Sequence, residues 1–270
     1  MPRIHPSAVV DPKAQIADDV EIGAHCVVGP DVTLGAGCKL VAQCFVGGYT
    51  TMGKGNVVFP FVSIGTAPQD YGYKGGISYT KIGDNNYFRE GVTVQPGTQP
   101  ETETVIGNNC LLMANSHVAH NCVLGDRVIL VNCATLGGYV NVGNNCLISA
   151  ITAIHQFCRI GRYAVLSGCS AISKDLPPFM ICSGRNGAIL GINIVGLRRG
   201  GFSKECIEAL RDVYQIFFRS KLSIPNALEK INAEVPQLPE IKDFIEFVTS
   251  SKRGVLRFGD EADLDPEKNG

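Results

Sequence analysis

The stretch "IGNNCL LMANSH VAHNCV LGDRVI LVNCAT LGGYVN VGNNCL ISAITA IHQFCR IGRYAV LSGCSA", residues 106–171, divides into sixes, and that division decides the fold. Each block opens on an aliphatic residue, and its fifth place holds a small one. Working outward, the same phase runs back to Ile4 and on to Pro177, giving 26 hexamers whose first residue is always apolar. The fifth residue is Ala, Val, Cys, Ser or Thr in 22 of them, the exceptions being Asn56, Pro68, Asn86 and Leu176. Two interruptions, 70–81 and 100–105, are twelve and six residues long and so preserve the phase.

Successive side chains of a strand point to opposite sides, so places five and one share a side and place six faces away. A large aliphatic and a small residue directed inward fill a narrow three-sided prism. Three hexamers make one turn of 18 residues, and neighbouring turns stack about 4.8 Å apart. The expected architecture is an all-β solenoid over residues 1–178, with a helical domain over 179–258. The acidic tail, 259–270, has the composition of a disordered segment. In the helical part, "SKECIEALRDVYQIFFRS" places Ile207, Leu210, Val213, Tyr214 and Phe217 on one stripe behind an N-cap at Ser203. "IPNALEKINAEV" and "PEIKDFIEFVTSS" predict two further short helices.

Composition excludes several functions. The formal net charge of −1 gives no bulk support for nucleic-acid binding. No apolar run reaches the roughly 18–20 residues of a membrane span, and the first residues lack a signal-peptide core, so a cytoplasmic protein is expected. Seven of the eleven cysteines (Cys26, Cys38, Cys44, Cys110, Cys122, Cys146 and Cys158) occupy place five, which makes them small core residues rather than disulfide or metal partners.

The phase also sorts the histidines. Within "MANSHVAHNC", residues 113–122, it sends Cys122 inward, His117 outward from a strand and His120 onto a solvent- or neighbour-facing corner. His155 lies on another corner, and His5 and His25 read as surface residues. Residues 18 apart stack, so His120, Gly138 and Gln156 form one column and Asn121 lies beneath Tyr139. A histidine under a glycine, whose backbone approaches a ligand closely, suits a reaction groove; three unrelated corner residues are the plain alternative. The segment "DYGYKGGISYTK", 70–81, is a loop long enough to reach over a neighbour.

In order along the chain stand "PQD" (68–70), "NSHVAHNC" (115–122), "AIHQFC" (153–158), "GCS" (168–170) and "GINIVGLRRGGFS" (191–203). With the helical C-terminus they resemble the bacterial UDP-N-acetylglucosamine O-acyltransferases of the hexapeptide-repeat family, over residues 2–257. The resemblance implies a left-handed parallel β-helix, a homotrimer, and transfer of an (R)-3-hydroxyacyl group from acyl carrier protein to the 3-hydroxyl of UDP-N-acetylglucosamine, the first step of lipid A synthesis. No metal or other cofactor is implied, because the donor is a thioester on the carrier's 4′-phosphopantetheine. His120 matches the general base, Gly138 the oxyanion donor through its N–H, and Asn121 the base's neighbour. Gln69, Asp70, His117, His155 and Gln156 match substrate contacts, Asn193 and Arg199 the nucleotide end, and Tyr139 and Gly168 the acyl groove.

Several residues depart from the family pattern. Asn121 stands where an aspartate is common, so the base should be weaker; Tyr139 replaces a histidine, Gly72 a lysine, and Val195 and Gly200 an acidic and a basic residue. A 3-amino sugar acceptor therefore stays open. So does a coenzyme-A-dependent acetyltransferase, although Gly168 and "GLRR" argue against it. A zinc enzyme of the γ-carbonic-anhydrase type does not fit the histidine spacing. Arg198, Arg199, Arg211, Arg219 and Lys221 are candidates for docking an acidic carrier protein.

Overall fold

A computed structural model describes residues 1–185 and 187–257. Its strands, mostly two residues long, are places six and one of the hexamers, such as Val27–Val28, Leu111–Leu112 and His117–Val118. They stack into three sheets of 11, 9 and 8 strands that form the sides of a left-handed parallel β-helix. Along the first sheet Arg3 pairs with Glu21 and Glu21 with Lys39, a step of 18 residues. At the interruptions Val57 pairs with Tyr87 and Tyr87 with Leu111, so the step widens to 30 and then 24 before 18 returns between Leu111 and Ile129.

Places one and five supply the core. Val118, Cys122, Leu130, Leu136, Val140 and Cys146 are all buried, as are the other five place-five cysteines, whereas Cys133 and Cys169 at place four are exposed. The two asparagines that break the place-five rule are buried and satisfied. Asn86 donates to Asn56 Oδ1 at 3.0 Å, and both donate to backbone carbonyls of neighbouring turns. Place four turns the corner with a positive φ, as at Asn85, Asn109, Asn115, Asn121 and Asn145, the non-glycine residue type that best tolerates it.

The boundaries differ from expectation. Tyr79–Ile82 and Glu103–Ile106 are strands of the third sheet, so the inserted loops end at residues 78 and 102 rather than 81 and 105. Their inward Thr80 and Thr104 continue the small-residue column, but the hexamers lack an apolar first residue and the phase is hidden. The sheet also continues past Pro178. Met180–Ser183 pairs with Val165–Leu166 and turns back antiparallel as Ala188–Ile192. Alternate burial of Met180 and Cys182 drives this hairpin, a two-residue period the hexapeptide frame does not register.

The helical part comprises α1 (Ile194–Arg199), α2 (Lys204–Tyr214), α3 (Ile224–Glu234) and α4 (Pro239–Thr249). Helix α1 was not expected. Ser203 caps α2 by accepting from the Cys206 N–H at 3.1 Å; of the expected stripe Ile207, Leu210, Val213 and Phe217 are buried and Tyr214 is half-buried, with Phe217 in a π-helical turn, Gln215–Arg219, that ends the helix. The helices dock on the last turns through Asp175, which is 1% exposed and accepts from Arg159 and Ser251, while Arg159 also donates to the Phe247 carbonyl and Arg162 to Asp243. The tail expected over 259–270 lies outside the described residues.

Candidate active site

One cleft at a corner of the prism collects Gln69, Asp70, His117, His120, Gly138, His155 and Gln156. His120, Gly138 and Gln156 arrive by stacking, each on the same corner of successive turns. Gly138 is a glycine for lack of space: a Cβ there would stand 2.4 Å from His120 Cε1 and 2.5 Å from Nε2. Its N–H has no acceptor among the described residues, a property common to this corner place; its position over the imidazole is what distinguishes it.

His120, expected to face solvent or a neighbour, is buried at 8% exposure and faces its neighbours in the cleft. Tyr139 packs edge-on against its ring, with centroids 5.3 Å apart, and stacks in turn on Phe157 at 4.8 Å. Its Nδ1 meets Asn121 Oδ1 at 3.0 Å, and its Nε2 faces the cleft with Asp70 Oδ2 at 3.5 Å. Asp70 divides its carboxylate: Oδ1 accepts from the Gly72 N–H at 2.8 Å and folds the loop, and Oδ2 is left for the histidine. Gly72 offers no side chain to the cleft, and Lys74 turns back to the Tyr71 carbonyl. The ring of His120 thus has an amide oxygen on one side and a carboxylate on the other.

His117 lies in register with Thr93 on the second sheet, whose hydroxyl contacts Nδ1 at 2.7 Å. Burial, with a smaller contribution from His120, pushes its pKa down, so it stays neutral at ordinary pH. Exposed His155 donates from Nδ1 to the Gln156 carbonyl at 3.1 Å. Among the described residues no three His, Cys, Asp or Glu side chains stand together to hold a metal, and burial pushes the Cys122 thiol up to about 12.

The repeat segments 1–36, 14–48 and 103–138 match the bacterial transferase hexapeptide model, and residues 175–256 match the second domain of UDP-N-acetylglucosamine O-acyltransferase. An acyl-[acyl-carrier-protein]–UDP-N-acetylglucosamine O-acyltransferase of Thermodesulfovibrio yellowstonii is 44% identical over 258 residues, 95% of this chain and 100% of that protein. The same enzyme of Syntrophobacter fumaroxidans is 44% identical over 94% of this chain and 100% of its own. The chain belongs to the UDP-N-acetylglucosamine O-acyltransferase family. The crystal structure of the Bacteroides fragilis acyltransferase superimposes with a TM-score of 0.92 at 41% identity, covering 94% of this chain and 100% of that one.

Not every residue matched to the family pattern lines this cleft. The Asn193 side chain is consumed locally: its Oδ1 caps α1 through the Gly196 N–H at 2.9 Å, and its Nδ2 donates to the Tyr163 carbonyl at 2.8 Å. Arg199 lies exposed on the last turn of α1. Gly168 is exposed, with only the Ala150 carbonyl, at 3.4 Å, near a Cβ built on it. Sequence reasoning missed three residues at the site. Thr93 contacts His117; Thr98 contacts Asn121; and Gln95, 2% exposed, lines the cleft with an Oε1 that has no partner among the described residues. The signal was present. Thr93 precedes His117 by 24 residues, the 18 of a turn plus the six of the second interruption.

Proposed function

We propose that this chain is a cytoplasmic homotrimer that transfers a 3-hydroxyacyl group from acyl carrier protein to the 3-hydroxyl of UDP-N-acetylglucosamine, the first step of lipid A synthesis. One observation carries the reading: His120 is held at Nδ1, opens Nε2 to the cleft, and lies directly under Gly138. His120 takes the proton of the sugar hydroxyl on Nε2 as the oxygen attacks the thioester carbon. The Gly138 N–H opposes the charge that develops on the thioester oxygen. The intermediate collapses to the ester, the carbon–sulfur bond breaks, and the imidazolium returns its proton to the departing thiolate. Asp70 beside Nε2 stabilises the imidazolium between these steps. A thioester has a good leaving group, so this sequence is complete with side chains and backbone alone.

Gln69, His117, His155 and Gln156 contact the substrates along the cleft. Arg199 serves the diphosphate, where a guanidinium suits paired oxygens, and Gly168 leaves the acyl groove open. Arg198, Arg199 and Lys221 are the basic residues for an acidic carrier protein, whereas Arg211 is already paired with Glu208. Trimerisation is supported by two prism faces. Beyond Arg3, Glu21 and Lys39 of its first turns, the first sheet directs Val57, Tyr87, Leu111, Ile129, Leu147 and Val165 outward, and the second directs Ser63, Thr93, His117, Thr135 and Ala153, so that the charges lie at one end. Such faces are suited to cover one another between protomers. No helix among the described residues is long and apolar enough to cross a membrane.

Mass spectrometry of products from UDP-N-acetylglucosamine and a ladder of hydroxyacyl carrier proteins tests the reading. An O-acylated sugar nucleotide is expected. Product only from acetyl-coenzyme A, or only from a 3-amino sugar acceptor, contradicts it.

A further inference from the structure

Use of His120 as a base through Nε2 requires the proton of the neutral ring to sit on Nδ1. A carboxylate beside Nδ1 secures this by accepting with either oxygen. An amide does not, because its two ends are opposite in character: the oxygen accepts from Nδ1–H, whereas the NH₂ group donates to a bare Nδ1 and shifts the ring proton to Nε2. With Asn121 in this place, something else must choose the end.

Thr98 makes the choice. Its backbone N–H, a donor that cannot reverse, lies 3.1 Å from Asn121 Oδ1, and its hydroxyl lies 3.1 Å from the same atom. Only an oxygen accepts from that N–H, so the amide end facing Thr98 is the carbonyl oxygen, and this same atom stands 3.0 Å from His120 Nδ1. Turning the amide over would set its NH₂ against the fixed N–H. Thr98 is 3% exposed, and its hydroxyl is also 3.4 Å from the Tyr139 hydroxyl, whose ring packs against His120. The lock is thus buried at Thr98, while Asn121 is half-buried and Tyr139 forms its exposed side.

We propose that Thr98 is a positioning residue that locks Asn121 with its oxygen toward His120 and so selects the Nδ1–H tautomer. This rests on the reading of His120 as the base. It assigns the choice of tautomer to the row before the second interruption.

The test combines kinetics with ¹⁵N NMR of the full-length protein labelled at histidine. Thr98→Val removes one of the two donors that hold the oxygen; kcat is expected to fall about tenfold with KM for the acceptor within about twofold, and Thr98→Ser to restore it. In the N121D background, which has no wrong amide end, Thr98→Val is expected to cost less than about twofold. NMR is expected to show neutral His120 protonated at Nδ1, with an Nε2-protonated population appearing in T98V. An equal kcat loss in both backgrounds, no restoration by serine, or an Nε2-protonated ring in the unaltered protein overturns the proposal. His120→Ala reports on the base separately: retained transfer removes that reading without changing what NMR says of the tautomer.

Discussion

The regular turns of the prism and the two interrupted turns contribute to the site in different ways. Residues 106–171 supply His120, Gly138 and Gln156, stacked by a fixed step of 18. The interrupted turns, between Ile64 and Ile106, supply Asp70 and Thr93, which meet His120 and His117, Thr98, which meets Asn121, and Gln95, which lines the cleft. The regular turns are a scaffold whose addresses follow from the period. The interrupted turns add groups that adjust what the scaffold holds: a carboxylate beside Nε2, a hydroxyl on His117 and a lock on Asn121.

That division gives graded expectations. Gly138→Ala breaks the scaffold where it meets the base, because the new methyl crowds the imidazole; kcat should fall about 10²–10³-fold, read by steady-state assay of a protein with unchanged circular dichroism. Leu130→Ala, in the core of a regular turn, should cost about 2–5 kcal/mol in denaturant unfolding while activity per folded molecule is kept. Asp70→Asn, in the interrupted region, should do the reverse: kcat lower by about 10–100-fold with stability little altered. If Asp70→Asn destabilises as Leu130→Ala does, the two regions are not separable in this way.

The smallest effect concerns His117. Its pKa is depressed in the folded state, so below the ordinary histidine value near 6.5 the unfolded chain binds the proton that the folded chain refuses. Stability therefore rises with pH through that window and is lost on acidification. His117→Gln should flatten this part of the stability–pH curve, measured by thermal unfolding across pH 5–7.

The same contrast explains what was legible in the sequence. The prism, its core cysteines, and the His120–Gly138–Gln156 column follow from a period in which every turn confirms the last. Asp70 was found only by resemblance, and its approach to His120 depends on a loop path that no period describes. Thr98 occupies place five, where the rule reads a small core filler; it is buried as the rule requires, yet its polar atoms serve Asn121. The hairpin over 180–192 and helix α1 escaped because a two-residue alternation and a six-residue helix are too short to stand out after the repeat ends. Asn193 matched a family position, but its amide is taken up by the start of that unforeseen helix.

The account's central claim is that His120 is the base of an acyl transfer to a sugar hydroxyl. Steady-state transfer from a hydroxyacyl carrier protein to UDP-N-acetylglucosamine by His120→Ala, with its fold verified, tests it most directly. A loss of about 10²–10⁴-fold in kcat is predicted; transfer within a few-fold of the unaltered protein would contradict it.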